Sequence, residues 1–589
     1  MVWLTTVAVF LPLTFVSGMV GQMMHDLSYT ICFALAASYV VAITVVPMAC
    51  SLILKQTSNK KENALTRALE AWGRVLDGLD RGYKNILKLA LKHRIGTLLV
   101  VLGIFIGTLA IVQLVGFDLM PMTDEGAASI SITLPDGSLI EDTKDILTKV
   151  LSKIEDIPEI EMTSASIQDS NTASVTIDLV AKQERTRSTD EVCDEIEKLM
   201  KNIAGAEISV ASSSAAMGVM AGGSNISLNI KADDSDTLRT VSEELVTLIS
   251  QIKGATNVES SLNDSLTEAN IIVNRAKAAK YGVSTSDIAN TIYMSLTGTT
   301  ATQYKTDGTE IDVVIKYDDE RTNYIKDLEN LTLTTGTGAR IPVTEVAEIV
   351  MGESAVSINR ENQRKYITIT GNIEDVDTSV AQELLEEKLS QYIFPEGCTY
   401  SFGGTMEMMN EAFASLGIAL IVAVLLVYMI MASQFESFSY PFIVMFSMPI
   451  AITGGIIGLF LVGETITVTA FMGFIMLVGM VVNNAIVLVD YTNQLIHDHG
   501  MGCKEALLAA GPSRLRPILM TTLTTIIGLV PMALGTAEGM EIQKPLGITV
   551  IFGLALSTLI TLILIPVLYL ILDNLKNRKK SRKEKAVNA

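Results

Sequence analysis

Residues that usually carry chemistry are scarce in this chain of 589 residues, which has five cysteines and four histidines. Cys32 and Cys50 fall in or at the end of an apolar run, Cys503 stands alone, and only Cys193 and Cys398 lie in the large polar block. They form neither a disulfide framework nor a zinc-site spacing. His25, His93, His497 and His499 are scattered near the edges of apolar runs, and no thiol or carboxylate cluster joins the last two. No nucleophile–base signature, P-loop or zinc-protease motif occurs. These absences exclude the common enzyme classes and leave no cofactor or metal centre to expect.

Apolar length is what the chain has. It is 49% hydrophobic with a mean hydropathy of +0.40, too apolar for an ordinary soluble protein, yet too charged to be membrane throughout. Runs long enough to cross hydrocarbon occur at Val2 to Met19, Leu27 to Leu54, Ile95 to Val115, Ala412 to Ala432, Tyr440 to Val462, Thr467 to Tyr491, Ile518 to Leu534 and Leu546 to Leu572. Between the third and fourth lies a polar block, Gly116 to Glu411, long enough to bury its own core. The organisation expected is therefore two transmembrane helices (1–54), an amphipathic helix (55–94), a third span (95–115), the block (116–411), a five-helix bundle (412–573) and a basic tail (574–589).

Charge orients these parts. Of the chain's 64 acidic residues 50 lie in the block, against 23 of its 44 basic ones. Outside it, basic residues gather in Lys55 to Arg94, around Lys504, Arg514 and Arg516, and in the tail KNRKKSRKEK from Lys576 to Lys585. The positive-inside rule makes those segments cytoplasmic and the block external, in a multi-pass protein of the plasma or inner membrane. An acidic exterior also argues against nucleic acid as a partner. In 55–94, Leu65, Leu69, Trp72, Leu76, Leu79, Tyr83 and Ile86 recur at spacings of three and four, which predicts an amphipathic helix lying on the cytoplasmic face.

The block reads as two copies of a βαββαβ, ferredoxin-like unit. Copy one (116–212) runs strand Ala128 to Leu134, helix Glu141 to Ile154, strands Ile160 to Ile167 and Ser174 to Val180, helix Thr189 to Ile203 and strand Glu207 to Ser212; Val175, Ile177 and Leu179 alternate as in a half-buried strand. Copy two (213–411) follows the linker Ser213 to Ser224 and carries a Thr- and Gly-rich insertion at roughly 297–349. The fold class expected is a multi-pass α-helical membrane protein with an exported α+β domain of ferredoxin-like subdomains.

The sharpest signals are polar residues inside spans. Asn483 and Asn484 sit mid-span, where an unpaired amide costs several kcal/mol (roughly). Such residues face a bundle interior, a cavity or an ion path; helix–helix adhesion is the structural alternative. Asp490 follows seven positions after Asn483, near the same helix face, and an interfacial anchor is its plainer reading. On the next span Thr521 and Thr525 share a face, with Arg514 and Arg516 at its inner mouth; threonines there often bond their own backbone. Gly454 and Gly458 form a GxxxG packing pair. Met217, Met220, Met406, Met408 and Met409 could offer soft thioethers to Cu(I) or Ag(I), although most of the 27 methionines fill gaps in apolar helices.

Taken together, GFDLMPMTDEG, ASQFESFSYPFIVMFSMPIAI, GMVVNNAIVLVDY and LRPILMTTLTTIIGLVP resemble the resistance-nodulation-division (RND) family of proton-driven exporters, over nearly the whole chain. The resemblance implies a porter domain of ferredoxin-like subdomains, the insertion acting as a docking subdomain, in a homotrimer that alternates access to expel amphiphilic molecules in exchange for protons. A periplasmic adaptor and outer-membrane channel follow only where the source has two membranes. Val2 to Leu54 looks like the fifth and sixth of the family's twelve spans, so an amino-terminal half carrying the paired, proton-binding aspartates is expected to be missing, as in a gene fragment or split product. Where the drug-exporter branch has a lysine this chain has Asn483, followed by a matching Asn484; a neutral amide fits a variant, Gram-positive-type branch. Thr521 and Arg514 match relay positions. The expected relay set is Asn483, Asn484, Thr521, Asp490 and Arg514, with substrate-binding residues unassigned. Two alternatives stay open: a Cu/Ag heavy-metal exporter of the same family, and a non-transporting membrane interaction protein on this scaffold.

Overall fold

A computed structural model describes residues 2–587, apart from 17, 54–63, 122, 136–137, 213–225, 263–264, 307–308, 317–324, 337, 356–357, 374–375, 377 and 536–538. The expected linker, with Met217 and Met220, lies outside the described residues. The chain opens with α1 (Val2–Phe10), α2 (Gly18–Ile53), α3 (Ala64–Lys92) and α4 (Arg94–Val115). The first apolar run is not one membrane-length helix: α1 gives way to a 3₁₀ turn, Leu11–Phe15, with Pro12 in its first positions. Proline has no N–H to donate to the carbonyl four residues back, so the α-helical ladder stops there. Among the described residues, seven helices are long and apolar enough to cross a membrane, and Trp3–Phe15 is a shorter apolar segment.

The polar block follows as β1 (Ala127–Thr133), α5 (Ile140–Ile154), β2 (Ile160–Asp169), β3 (Thr172–Leu179), α6 (Thr189–Met200) and β4 (Glu207–Ser212), then β5 (Ile226–Ala232), α7 (Ser235–Ile249), β6 (Ala255–Ser260), β7 (Ser265–Val273), β8 (Ala347–Ala355), β9 (Arg364–Ile373), α8 (Thr378–Ser390) and β10 (Thr399–Phe402). The first subdomain is an antiparallel sheet of order β2-β3-β1-β4. Alternation sends Ala173, Val175, Ile177 and Leu179 inward, and Ile130 pairs with Val175 on one side and Val210 on the other. Val150 and Ile196 of the two helices close the core. Ser188 caps α6 by accepting from the Glu191 amide at 3.2 Å, while the Glu191 carboxylate accepts from the Ser188 amide at 3.0 Å.

In the second subdomain β9 pairs with β5 and β6, and β10 with β5, repeating the same order. Its insertion leaves as β7 and returns as β8, paired without a break from Ser265↔Ala355 to Val273↔Ala347. The insertion therefore spans 265–355, wider than 297–349. Its two stalk strands have ordinary strand composition, whereas the Thr-rich run covers the exposed hairpin Thr299–Thr306 and Thr309–Ile315 and the short strand Thr332–Thr334 inside the insertion.

The carboxyl-terminal helices are α9 (Gly404–Gln434), α10 (Ser439–Met445), α11 (Ser447–Val462), α12 (Val468–His497), α13 (Cys503–Leu534) and α14 (Lys544–Val587). The run Tyr440 to Val462 breaks at Phe446, where Pro449 cannot donate to the Met445 carbonyl. The centre of the bundle is α11, α12 and α14. A Cβ on Gly454 would lie 2.7 Å from the Phe552 carbonyl oxygen and 2.9 Å from the Gly553 Cα, so the GxxxG pair brings two backbones into contact.

The amphipathic helix α3 is held by protein contacts. Tyr83, Leu87, Ala90 and Leu91 are buried against the bundle core, and the Tyr83 hydroxyl donates to the Leu562 carbonyl at 2.8 Å. Pro566, four residues on, cannot donate to that carbonyl, and the tyrosine satisfies it instead. At the same end Arg516 donates to Asp80 at 2.9 Å and pairs with Asp77.

Candidate functional site

Asn483 and Asn484 are neighbours on α12, so their side chains leave the helix about 100° apart. Asn483 is half-buried and lies one turn from Gly479, which faces Thr6 and Val9 of α1. Asn484 turns the other way and lines a small cavity of about 10 Å³ with Val481, Leu488, Ile518, Ser557, Thr558 and Thr561, among others. That volume is about one water.

The cavity's polar wall comes mainly from α14. Ser557, Thr558 and Thr561 are 0%, 5% and 4% exposed, and they sit at positions i, i+1 and i+4. Thr522 of α13 is also buried; its hydroxyl donates to the Ile518 carbonyl at 2.8 Å and meets the Thr558 hydroxyl at 3.3 Å. The Ser557 hydroxyl donates to Leu554 at 3.2 Å, whereas the Thr561 hydroxyl is buried with no hydrogen-bond partner among the described residues. One amide, four hydroxyls and a water-sized void thus meet at the junction of three helices. Such a cluster can orient and pass a proton; it contains no group that stores one.

Thr521 is not part of this cluster. Its hydroxyl bonds its own helix, at 2.9 Å to the Ile518 carbonyl and 3.2 Å to Pro517, on the exposed face of α13. One residue further round, Thr522 points inward, and this single step of helix rotation separates the expected threonine from the buried one. Asp490 is exposed and accepts from Gln494 at 3.0 Å. Arg514 lies over the Tyr491 ring, 4.4 Å from its centroid, with its Nε buried and unpartnered among the described residues. Arg514 and Asp490 thus flank the carboxyl-terminal end of α12 without meeting the amides. The signal for the residues missed was the hydroxyl spacing of Ser557, Thr558 and Thr561 within the last apolar run.

Residues 1–573 match the AcrB/AcrD/AcrF family. The chain belongs to that family, the RND kinship that its motifs indicate. It is 30% identical over 596 residues to the Swarming motility protein SwrC of Bacillus subtilis (strain 168), covering 99% of this chain and 55% of that protein. Among solved structures it is similar to a heavy metal efflux pump in two crystal forms, at 23% identity and a TM-score of 0.77, covering 97% of this chain and 58% or 57% of the other. The chain spans about half the length of the relatives it matches.

The family motif GFDLMPMTDEG is where membrane bundle and polar block are tied together. The Ile466 amide donates to Gly116 at 3.1 Å and the Asp118 amide to Ile466 at 3.2 Å, so the join runs beside the start of α12. Its other side meets α8: the Phe117 amide donates to the Ser379 hydroxyl at 2.9 Å, and the Thr378 hydroxyl to Asp118 at 3.1 Å. Further along the motif, Asp124 pairs with Arg185 at 2.5 Å and accepts from Thr189, while Lys182 reaches Glu541 in the connection between α13 and α14. Burial works against the Asp124 charge, but hydrogen bonds from Thr189 and Arg185, with the charges of Arg185 and Lys182, outweigh it and hold its pKa below the usual carboxylate range. Lys544 at the head of α14 pairs with Glu464 at 2.6 Å. The starts of α12 and α14 are thus tied to both subdomains through short polar contacts.

Proposed function

We propose that this chain is the carboxyl-terminal portion of a proton-coupled efflux permease that exports amphiphilic or hydrophobic compounds across the plasma or inner membrane, with its polar block outside. The observation that supports this most is the buried amide–hydroxyl cluster of Asn484, Thr522, Ser557, Thr558 and Thr561. Hydroxyls without a carboxylate relay protons but do not hold them, so the acids would come from the other half of such a protein. Protonation there would shift α12 and α14, and the contacts of Asp118 and Glu541 would carry the shift to the subdomains. Asn483, Thr521, Asp490 and Arg514 fit supporting roles, the first two toward the complementary half and the last two at the cytoplasmic mouth.

A trimer fits the exposed hairpin at the end of the insertion, where Tyr304, Ile311, Val313 and Ile315 stand in solvent and would be covered by a neighbouring copy. Adaptor and outer-channel partners belong to this reading only in a two-membrane source. Export of soft metal ions is the second reading, favoured by the name of the similar pump; against it, Met406 and Met409 are 0% and 4% exposed, and Met406 is packed in an apolar core. The test is dye export from proteoliposomes under an imposed pH gradient, with the chain alone and with a complementary amino-terminal half. Asn484→Leu should cut the gradient-driven rate about tenfold or more, the loss of roughly one hydrogen bond to a charged group. Undiminished export by a folded Asn484→Leu protein would remove the relay from this site.

A further inference from the structure

The hydroxyls around the small cavity are not equivalent. The Ser557 hydroxyl donates to the Leu554 carbonyl at 3.2 Å and the Thr522 hydroxyl to the Ile518 carbonyl at 2.8 Å, so both hydrogens are committed to their own helices. Thr558 meets Thr522 at 3.3 Å, and with the Thr522 hydrogen engaged it is Thr558 that donates. Ser557 and Thr558 can therefore offer only lone pairs to the cavity they line. Thr561 differs. Threonines in spans often donate to the carbonyl four residues back, as Thr492 and Thr525 do. The Thr561 hydroxyl, on a residue 4% exposed, has no partner among the described residues.

From α12, the Asn484 side-chain amide lines the same cavity and makes no hydrogen bond to another residue among the described ones. Two lone-pair acceptors, one hydroxyl hydrogen and one amide thus surround a void of about 10 Å³. A polar void of that size suits one water, which makes two to four bonds to groups otherwise left unsatisfied. Water also matches the pattern, because it brings two hydrogens and two lone pairs. A metal cation would leave the Thr561 hydrogen without an acceptor and would place a charge in the bundle with no carboxylate among the residues lining the cavity.

We propose that the cavity binds one water, which donates to Ser557 and Thr558 and accepts from the Thr561 hydroxyl and the Asn484 amide nitrogen. Thr561 is then a positioning residue: through the water it holds the amide with its nitrogen toward the void, which leaves the Asn484 carbonyl oxygen to accept from a protonated group elsewhere in the bundle. The water site stands apart from export; the positioning role rests on the relay reading. The test uses the full chain, alone for binding and with a complementary amino-terminal half for export. A density map that resolves ordered water should show one peak within hydrogen-bonding distance of Thr561 and Asn484, lost in Thr561→Val and kept in Thr561→Ser. Thr561→Val should melt below the native chain, because the water loses a partner; in a dry cavity valine would remove an unsatisfied hydroxyl and raise the melting temperature. Gradient-driven export should fall about fivefold in Thr561→Val, the effect of one hydrogen bond, and return in Thr561→Ser. No density in the native cavity, a Thr561→Val protein as stable as the native one, or a melting temperature that rises with sodium at constant ionic strength would overturn the water site. Undiminished export by Thr561→Val while Asn484→Leu still cuts it would overturn the positioning role and leave the relay standing; undiminished export by both would remove relay and role together.

Discussion

The bundle has a centre and a periphery, and apolar composition does not distinguish them. In α12, 72% of the most apolar window is buried; in α2, none of it is. Both would pass as membrane helices on sequence. The difference lies in which small residues and polar groups meet a neighbouring helix. Gly454 and Gly458 bring α11 against α14, Gly553 faces Leu477 of α12, and the buried hydroxyls cluster where these helices meet α13. Helix α2 carries small residues at the same spacing, Ala34, Ser38 and Ala42, but these stand exposed, as do Phe33, Leu52 and Ile53. In a membrane, burying more apolar surface is no gain in itself, so close packing and polar contacts decide which helices form a core.

The sharpest way to break this comparison is a pair of leucines. Gly454→Leu should destabilise the protein by about 3 kcal/mol or more, because its side chain would collide with the backbone of α14. Gly528→Leu in α13, where a Cβ would meet nothing, should leave the melting temperature unchanged. Equal effects would mean that the centre is not held by backbone approach. Next in size is Tyr83→Phe, which leaves the Leu562 carbonyl unsatisfied beside Pro566 and should lower stability by about 2 kcal/mol in a denaturation titration. An unchanged midpoint would show that water replaces the hydroxyl there.

Between neighbouring threonines the expected contrast is functional. Thr558→Val should reduce gradient-driven export by about tenfold, a change of 1.4 kcal/mol, while Thr521→Val, which only loses a bond to its own helix, should reduce it by less than about twofold, a few tenths of a kcal/mol. The reverse ranking would return the relay to the exposed face of α13. The smallest effect concerns the tie at Asp124. Its folded pKa is lowered, so its stabilising contribution is complete above the unfolded value of about 3.9 and is lost as pH falls through the folded value. The melting difference between wild type and Asp124→Asn should therefore narrow from about pH 5 downward. A difference independent of pH would assign the tie to packing rather than charge.

Regular periodicity was legible wherever one face of an element alone is buried. Val175, Ile177 and Leu179 alternate and are buried, and the GxxxG spacing of Gly454 and Gly458 marks a real helix contact. Backbone breaks were less so: Pro12 and Pro449 interrupt their runs, whereas Pro512, Pro517 and Pro531 lie inside an unbroken α13. Whether a proline stops a helix depends on what replaces its missing bond, which is a tertiary fact. The insertion stalk was hidden because β7 and β8 have the composition of any strand. Thr521 and Thr522 could not be told apart, since each is a threonine in an apolar run and only the position of α14 decides which of the two is enclosed.

The bond from Tyr83 to Leu562 joins residues 479 positions apart. On a ribosome, α3 is finished long before the last membrane segment exists, so its tyrosine must wait for an acceptor that has yet to be synthesised. Closure of that contact marks the moment when the newest helix has reached its place, and a chain stalled before Leu562 would leave the buried face of α3 uncovered and open to proteases.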